Sequence, residues 1–359
     1  MVNKVFISKK QQIMKAYKLI AICVISLFFG ACNDGLDEDV ALDVTVNTNE
    51  NVSFDGHIIT VKKGTPVNFN IAGDPDFLTF FSGEEGYKYQ YRERQTIDPS
   101  QIKSSSLTIT LYYEYGTTDM VDSRIYISDE FTGLYKDDFV ADSLLVEQYE
   151  NDGIWQSMIP NEELGYAFPT KTSTPQTYTF DMTQYLNKRV TIAIRYKGVK
   201  NTAVQPRLYF TQMHLTNELN NGSSLKFGAS SFGLTPVNMK NRCNLSDQAT
   251  MTTDREYGTV SGGTSGIWNL QNIGTETFYL HSSAAGNPLK YSWLVSDPLT
   301  INSCEPDQGT KVKDITQSLD SYTYTYDKVG IYNATFLARN ANIDHSSTTT
   351  YNFVVNVVE

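Results

Sequence analysis

Apolar and polar residues alternate with a period of two along much of the chain. The alternation is clearest in four stretches: Arg124–Phe131, Arg189–Gly198, Tyr322–Ala338 and Tyr351–Glu359. A period of two places successive side chains on opposite faces of a β-strand. Glycine, proline, asparagine and aspartate interrupt the pattern at short intervals, and no long amphipathic helix is indicated after residue 31. We therefore predict an all-β protein built from antiparallel β-sandwiches.

The same alternation predicts which side chains share a face of each strand. The predicted sets are Ile125 and Ile127; Val190, Ile192, Ile194 and Tyr196; Tyr322, Tyr324 and Tyr326; Tyr332, Ala334, Phe336 and Ala338; and Tyr351, Phe353, Val355 and Val357. Nearer the N-terminus, "HIITVKKGTPVNFNIAG" predicts two strands joined by a turn at Lys63 and Gly64.

The N-terminus carries a different pattern. A thirteen-residue apolar run, Leu19 to Ala31, follows several lysines and ends in small residues. A membrane-spanning helix needs about 20 apolar residues, so this run is too short to be one. A buried core helix would not account for its terminal position or for the lysines. We predict that residues 1–31 are a secretory signal peptide, and Met14 begins a stretch of more usual signal length.

The residues "FGAC", which end at Cys32, resemble the bacterial lipobox, although Phe29 stands where leucine is usual. The resemblance implies that the Cys32 thiol receives a diacylglyceryl group and that its acyl chains anchor the protein stably. We interpret residues 32–42 as an acidic linker. Its acids, Asp34, Asp37, Glu38 and Asp39, resemble the signal that carries Bacteroidetes lipoproteins to the outer face of the outer membrane. The periplasmic leaflet is the alternative location.

Charge and cysteine content reduce the number of possible partners and sites. Residues 1–31 hold five of the 29 basic residues and none of the 40 acidic ones, so cleavage before Cys32 leaves a net charge of −16. Such a charge argues against nucleic acid as a partner.

In an oxidising compartment Cys243 and Cys304 are candidates for a disulfide, but spacing alone does not show whether they meet. With four scattered histidines and no C-x-x-C, we predict no metal site and no cofactor.

Three stretches resemble known families. "GDPDFLTFFSGEEGYKYQYRER" (Gly73–Arg94) resembles the hallmark of a Bacteroidetes family of unknown-function domains carried by surface lipoproteins. From "IYISDEFTGLY" to "RLYFTQMHL" the chain resembles galactose-binding-like and cleaved-adhesin jelly rolls. From "YSWLVSDPL" to "YTYTYDKVGIYNATFLARNAN" it resembles a PKD-like, immunoglobulin-type sandwich. These resemblances imply a jelly roll in residues 43–217 and a PKD/Ig-like sandwich in residues 218–359. Residues 216–231 are rich in asparagine, glycine and serine, and this composition makes them the best candidate for the domain junction.

Such proteins resemble partners of Sus-type glycan importers. The resemblance implies an outer-membrane surface lipoprotein that binds extracellular polysaccharide or oligosaccharide without catalysis and presents it to a SusC/SusD-like transporter. A structural or adhesive lipoprotein of fimbrial or assembly type is the alternative, because β-sandwiches serve both roles.

A glycoside hydrolase is a third hypothesis. Glu84, Glu85 and Glu93 could supply the acid and base that glycoside hydrolysis needs. We instead interpret "SGEEG" as a turn and "YKYQYRER" as a half-buried strand, and the chain carries none of the common catalytic motifs.

Proteins commonly bind sugars by stacking the C–H face of the sugar ring on an exposed aromatic side chain, with polar groups nearby that reach the hydroxyls. Trp268 lies in a glycine-rich stretch beside Asn269 and Gln271, so we predict these three residues as the binding site, with Trp155 as a second candidate. Each tryptophan could instead fill the core, and Trp293, in a strand, is interpreted as structural.

The lipobox resemblance predicts that Cys32 is the first residue of the mature protein. Cys32→Ala should remove incorporation of a fatty-acid analogue and release the protein from the membrane fraction. Retention of both label and membrane association would contradict the lipid anchor.

Overall fold

The structure, a computed structural model, describes residues 39–159, 168, 174–240, 255–260 and 267–359. The chain forms two compact units. Unit 1 comprises Met1–Arg94 and Glu305–Glu359, with its described part beginning at Asp39, and unit 2 comprises Gln95–Cys304. Both units are built from β-sheets with apolar cores, so the predicted all-β sandwich class is confirmed.

The strands are numbered along the chain. Unit 1 contains β1 (Asp43–Val46), β2 (Val52–Phe54), β3 (Ile58–Lys62), β4 (Pro66–Ala72), β5 (Phe77–Phe81), β18 (Thr310–Lys313), β19 (Ser321–Thr325), β20 (Gly330–Ala341) and β21 (Ser346–Val358). Unit 2 contains β6 (Ile102–Glu114), β7 (Val121–Ser128), β8 (Gln156–Ser157), β9 (Gln176–Asp181), β10 (Arg189–Gly198), β11 (Arg207–Leu219), β12 (Ser224–Gly228), β13 (Thr235–Lys240), β14 (Trp268–Asn269), β15 (Phe278–Leu280), β16 (Tyr291–Val295) and β17 (Leu299–Thr300). Unit 2 also contains an α-helix, α1 (Phe139–Asn151).

Unit 1 is a sandwich of two sheets, ordered β1-β4-β19 and β18-β5-β20-β21-β3-β2. Its pairs are antiparallel except β3–β21, which is parallel. Aromatic rings from both sheets meet in the core. The centroid of the Phe69 ring lies 5.6 Å from that of Phe80 and 5.1 Å from that of Phe336. The predicted inward faces of β19, β20 and β21 are confirmed, because their alternate residues lie in or against this core.

Unit 2 is a sandwich of the sheets β13-β16-β10-β7-β8 and β14-β15-β11-β6-β9, with β17 paired to β10 and β12 to β11. Ile125, Ile127 and the predicted face of β10 lie in its core, as expected. The opposite face of β7, β10 and β16 is also buried, because Tyr126, Ala193 and Trp293 pack in a second cluster with Val146 of α1.

The predicted domain boundaries require correction. Strands β13 to β17, assigned to a C-terminal domain, belong to unit 2, and residues 216–231 lie inside that unit rather than at a junction. Strands β18 to β21 instead pair with β3, β4 and β5. The linker also ends earlier than residue 42, since Val40 is buried in the core of unit 1. Strand pairing joins segments distant in sequence, which a local pattern does not record.

Helix α1 was not predicted, because its apolar residues do not form one continuous stripe: Val146 is buried, but other apolar side chains face solvent. Val140 and Leu144 are 66% and 62% exposed, whereas the acidic Asp142 is fully buried. The Asp142 carboxylate accepts backbone N–H groups of Tyr135 at 2.8 Å and Lys136 at 2.9 Å, and the Tyr257 hydroxyl at 2.6 Å. Burial, reinforced by this carboxylate, raises the pKa of Tyr257, which therefore stays a protonated donor.

Asp142→Ala should lower the free energy of unfolding of unit 2 by about 3 kcal/mol, because three donors lose their acceptor at a buried site. Asp138 caps α1 by accepting the Ala141 N–H at 3.0 Å, so Asp138→Ala provides a control expected to cost about 1 kcal/mol. All three tryptophans lie in unit 2, so tryptophan fluorescence during urea unfolding reports this unit. Equal costs for the two variants would contradict the anchoring role of Asp142.

Candidate functional site

The part of the hallmark sequence that follows β5 forms a loop, and "YKYQYRER" is not the strand that was predicted. Residues 82–94, here named the hallmark loop, follow β5 and contain a single 3-10 turn at Tyr89–Tyr91. The predicted turn at "SGEEG" is confirmed, since the Tyr87 N–H donates to the Glu84 carbonyl and the Gly83 N–H to the Tyr87 carbonyl, both at 3.0 Å. Tyrosine and polar residues alternate here as they would in a strand, but the backbone pairs with itself and with a carboxylate distant in sequence.

That carboxylate belongs to Asp307, whose side chain is 1% exposed. It accepts the Lys88 N–H at 2.9 Å and a guanidinium N–H of Arg94 at 2.7 Å. The Asp307 N–H in turn donates to the Tyr91 carbonyl at 3.1 Å. A buried carboxylate with charged and backbone donors makes stronger hydrogen bonds than a neutral acceptor. Asp307 therefore fastens both ends of the 3-10 turn to the second chain segment of unit 1.

Ring and guanidinium contacts order the side chains of the hallmark loop. The Arg92 guanidinium lies 4.0 Å from the centroid of the Tyr89 ring, and the Arg94 guanidinium lies 4.5 Å from that of Tyr91. Tyr89 also meets Phe81 edge to face at 5.4 Å. These cation–π and aromatic contacts hold Tyr89 and Tyr91 in fixed orientations.

Gly83 allows the hallmark loop to approach strand β20. Its φ is +83°, and a Cβ atom there would lie 2.6–2.8 Å from backbone atoms of Asn333. Gly86 has the same φ of +83°, but a Cβ atom at Gly86 would meet nothing within 4 Å. Both positions therefore favour glycine because of their backbone conformation, but of the two only Gly83 also needs glycine because its neighbour is close.

A cleft of about 320 Å³ lies between the hallmark loop and β20. It is lined by Gly83, Lys88, Tyr89, Gln90, Ile331, Asn333 and Thr335. The lining combines an ammonium group, two amides and a hydroxyl with the apolar surfaces of a tyrosine and an isoleucine. This mixture suits a ligand that has both hydroxyl groups and apolar C–H surface, and the volume is at the small end for ligand pockets.

Two of the three carboxylates considered for hydrolysis, Glu84 and Glu93, have structural contacts. Glu84 accepts hydrogen bonds from the hydroxyls of Tyr324 and Ser82. Burial, followed by the contact with Glu84, raises the pKa of Tyr324 to about 12, so its hydroxyl remains a donor. Glu93 is 80% exposed and pairs with Arg92 at 3.1 Å. Both contacts favour the interpretation of these acids as supports of the hallmark loop.

The tryptophans predicted as glycan platforms lie in the core of unit 2. Trp268 is fully buried, and its indole N–H donates to the Ser292 hydroxyl at 2.9 Å. Trp155 is 5% exposed and donates to the Val146 carbonyl at 3.1 Å, and its ring centroid lies 4.6 Å from that of Phe131. Neither indole presents a face to solvent, which corrects the predicted platform, and Trp293 is buried as expected. The residues before Trp268 resemble a loop in composition, yet Trp268 itself begins β14.

The remaining predicted residues are separated in the structure. Asn269 is buried and donates to the Tyr279 hydroxyl at 3.0 Å, whereas Gln271 is exposed. Cys304 belongs to unit 2, but Cys243 lies outside the described residues, as does Cys32, so the disulfide and the lipid anchor stay predictions.

In the part of the chain that the structure describes, no group of three or more histidine, cysteine, aspartate or glutamate residues could hold a metal ion. Among the same residues, no helix has both the length and the apolar character needed to span a membrane.

Residues 31–232 match the family described as a domain of unknown function, DUF5017. The match covers more than half of the 359 residues. The chain belongs to this family. The DUF5017 region includes the hallmark loop and ends at Phe232 inside unit 2, so neither compact unit coincides with it. No curated protein and no solved structure matches the chain.

Gly83→Ala should displace the hallmark loop, because the added methyl group would overlap the Asn333 backbone. We expect faster tryptic cleavage at Lys88, Arg92 or Arg94, measured by mass spectrometry of limited digests. Gly86→Ala is the matched control: it shares the backbone strain of about 1 kcal/mol but meets open space. Equal cleavage rates in the two variants would show that the contact with β20 does not hold the loop.

Proposed function

We propose that this protein is a lipid-anchored outer-membrane protein that binds extracellular polysaccharide at the hallmark cleft without catalysis. In this proposal Cys32 carries the anchor, and the bound glycan is presented to a SusC/SusD-like transporter at the cell surface. The observation that carries the binding function is the composition of the cleft between the hallmark loop and β20.

The polar groups of the cleft match the hydroxyl groups of a sugar. Gln90 and Asn333 are exposed, and each amide offers both a donor and an acceptor. Tyr89 and Ile331 supply apolar surface for the C–H faces of the ring. Because Asp307 and the cation–π contacts already fix the loop, little conformational entropy is lost when a ligand binds.

The structural contacts of Glu84 and Glu93 support binding rather than hydrolysis. Hydrolysis with two carboxylates requires one of them to act as a proton donor beside the scissile bond. Glu84 is instead an acceptor for two hydroxyls of its own unit, and Glu93 is an exposed partner of Arg92. The net charge left after cleavage of the signal also favours a glycan over nucleic acid as the ligand.

The test is affinity electrophoresis of detergent-solubilised full-length protein in gels that contain starch, xylan, β-glucan, mannan or pectin. At least one polysaccharide should retard the wild-type protein. Gln90→Ala and Asn333→Ala should each weaken retention by about five- to tenfold, the effect of losing about 1 kcal/mol of hydrogen bonding.

Gln317→Ala is the control for these variants, since Gln317 is an exposed amide of unit 1 that does not line the cleft. Retardation that is unchanged in both cleft variants would place the glycan elsewhere. Failure of every polysaccharide to retard the wild-type protein would reject glycan binding and favour the structural or adhesive alternative. Release of reducing ends from any of them would overturn the non-catalytic function.

A further inference from the structure

Three tyrosines form a cross-strand row on the outer face of unit 2. Tyr209 of β11 pairs in register with Tyr112 of β6 and with Tyr279 of β15. Their strand neighbours point into the core, so these three side chains lie on the opposite face of the sheet. Adjacent rings are stacked, with centroids 5.1 Å apart in both pairs.

Arg207 and Tyr115 extend this row. The Arg207 guanidinium lies 4.6 Å from the centroid of the Tyr279 ring and 5.1 Å from that of Tyr115. The Arg207 guanidinium donates to the Glu114 carboxylate at 2.8 Å. The result is a continuous stack of four tyrosine rings and one guanidinium. Its last member, Tyr115, is 56% exposed.

The backbone at Tyr115 is strained in a way that turns this ring outward. Its φ is +61°, in the left-handed region that bulky residues rarely adopt, and it directly follows the end of β6 at Glu114. Gly116 continues the turn at φ +69°, where a Cβ atom would collide with the Val204 carbonyl. A tyrosine held in a conformation that favours glycine implies a use for its side chain.

We propose that the Tyr115 ring is a stacking platform for a sugar, in a second glycan site on unit 2. One part of the ring lies against Arg207, and the exposed part offers a π-face to the C–H face of a pyranose. Glu114 and Arg207 stand beside it as acceptor and donor for sugar hydroxyls. The choice of a glycan as the ligand rests on the proposed function. The site itself is separate from the cleft of unit 1, because it lies on unit 2 and is formed by other residues.

The surroundings of Tyr115 favour a sugar over other ligands of aromatic rings. An apolar peptide would require neighbouring apolar surface, but the adjacent side chains are the ion pair of Glu114 and Arg207. A nucleobase in a nucleic acid would arrive with phosphate groups, which the net negative charge of the protein repels.

The experiment measures retardation of detergent-solubilised full-length protein in gels containing starch, xylan, β-glucan, mannan or pectin. Tyr115→Ala should weaken binding of at least one polysaccharide by about tenfold, the scale expected for loss of one stacking contact. Tyr115→Phe should retain the affinity, because it keeps the ring. Tyr135→Ala is the matched control, since Tyr135 is another exposed tyrosine of unit 2 at 66%.

Tyr115→Gly separates binding from a structural role. Glycine relieves the strain at φ +61°, so the urea midpoint followed by tryptophan fluorescence should stay near that of the wild type while binding is lost. A lower midpoint with unchanged retardation would overturn the platform and assign Tyr115 to sheet stability. Unchanged retardation in Tyr115→Ala alongside loss in Gln90→Ala would overturn this site and leave the proposed function intact. Absence of retardation in the wild type would reject both.

Discussion

Unit 1 depends on pairing between the two ends of the chain. Strand β5 is bounded by β18 and β20, and β3 by β2 and β21, so the six-stranded sheet has no continuous hydrogen-bonded order without the C-terminal residues. The contact between Phe80 of β5 and Phe336 of β20, whose ring centroids lie 4.7 Å apart, shows the same dependence in the core. The hallmark loop follows β5 and packs on β20, so the cleft is formed only after this pairing. Pairing β5 with β18 and β20 closes a loop of more than 200 residues, and the entropy cost of this closure is offset by burial of aromatic side chains.

Two buried carboxylates hold the irregular parts of the chain. Asp307 receives a backbone N–H and a guanidinium in the hallmark loop, and Asp142 receives two backbone N–H groups and a hydroxyl beside α1. Loops and helix ends leave backbone donors without partners inside the segment, and an unpaired buried donor is costly. Each aspartate satisfies several such donors from one position, which lets a non-repetitive segment keep a single conformation.

The two proposed sites use aromatic rings in different ways. In the cleft, Tyr89 is enclosed by Phe81 and Arg92 and contributes one wall among several polar groups. At the edge of unit 2, Tyr115 is the exposed end of a stack whose other members are ordered by the sheet.

The sequence by itself determined the class of fold and the inward faces of the long strands, because alternation with a period of two is a local property of the chain. It did not determine which strands pair, so β13 and β16 were assigned to a domain different from that of β10. The same limit applies to the sites. By strand parity Tyr115 belongs on the core face with Tyr113, but a positive φ after the last residue of β6 turns it to solvent. Trp268, in a segment with the composition of a loop, is buried because β14 pairs with β15. The burial of Trp268 is decided by strand pairing and the exposure of Tyr115 by a backbone conformation that departs from the strand. Alternation along the sequence records neither of them, and only the tertiary structure contains both.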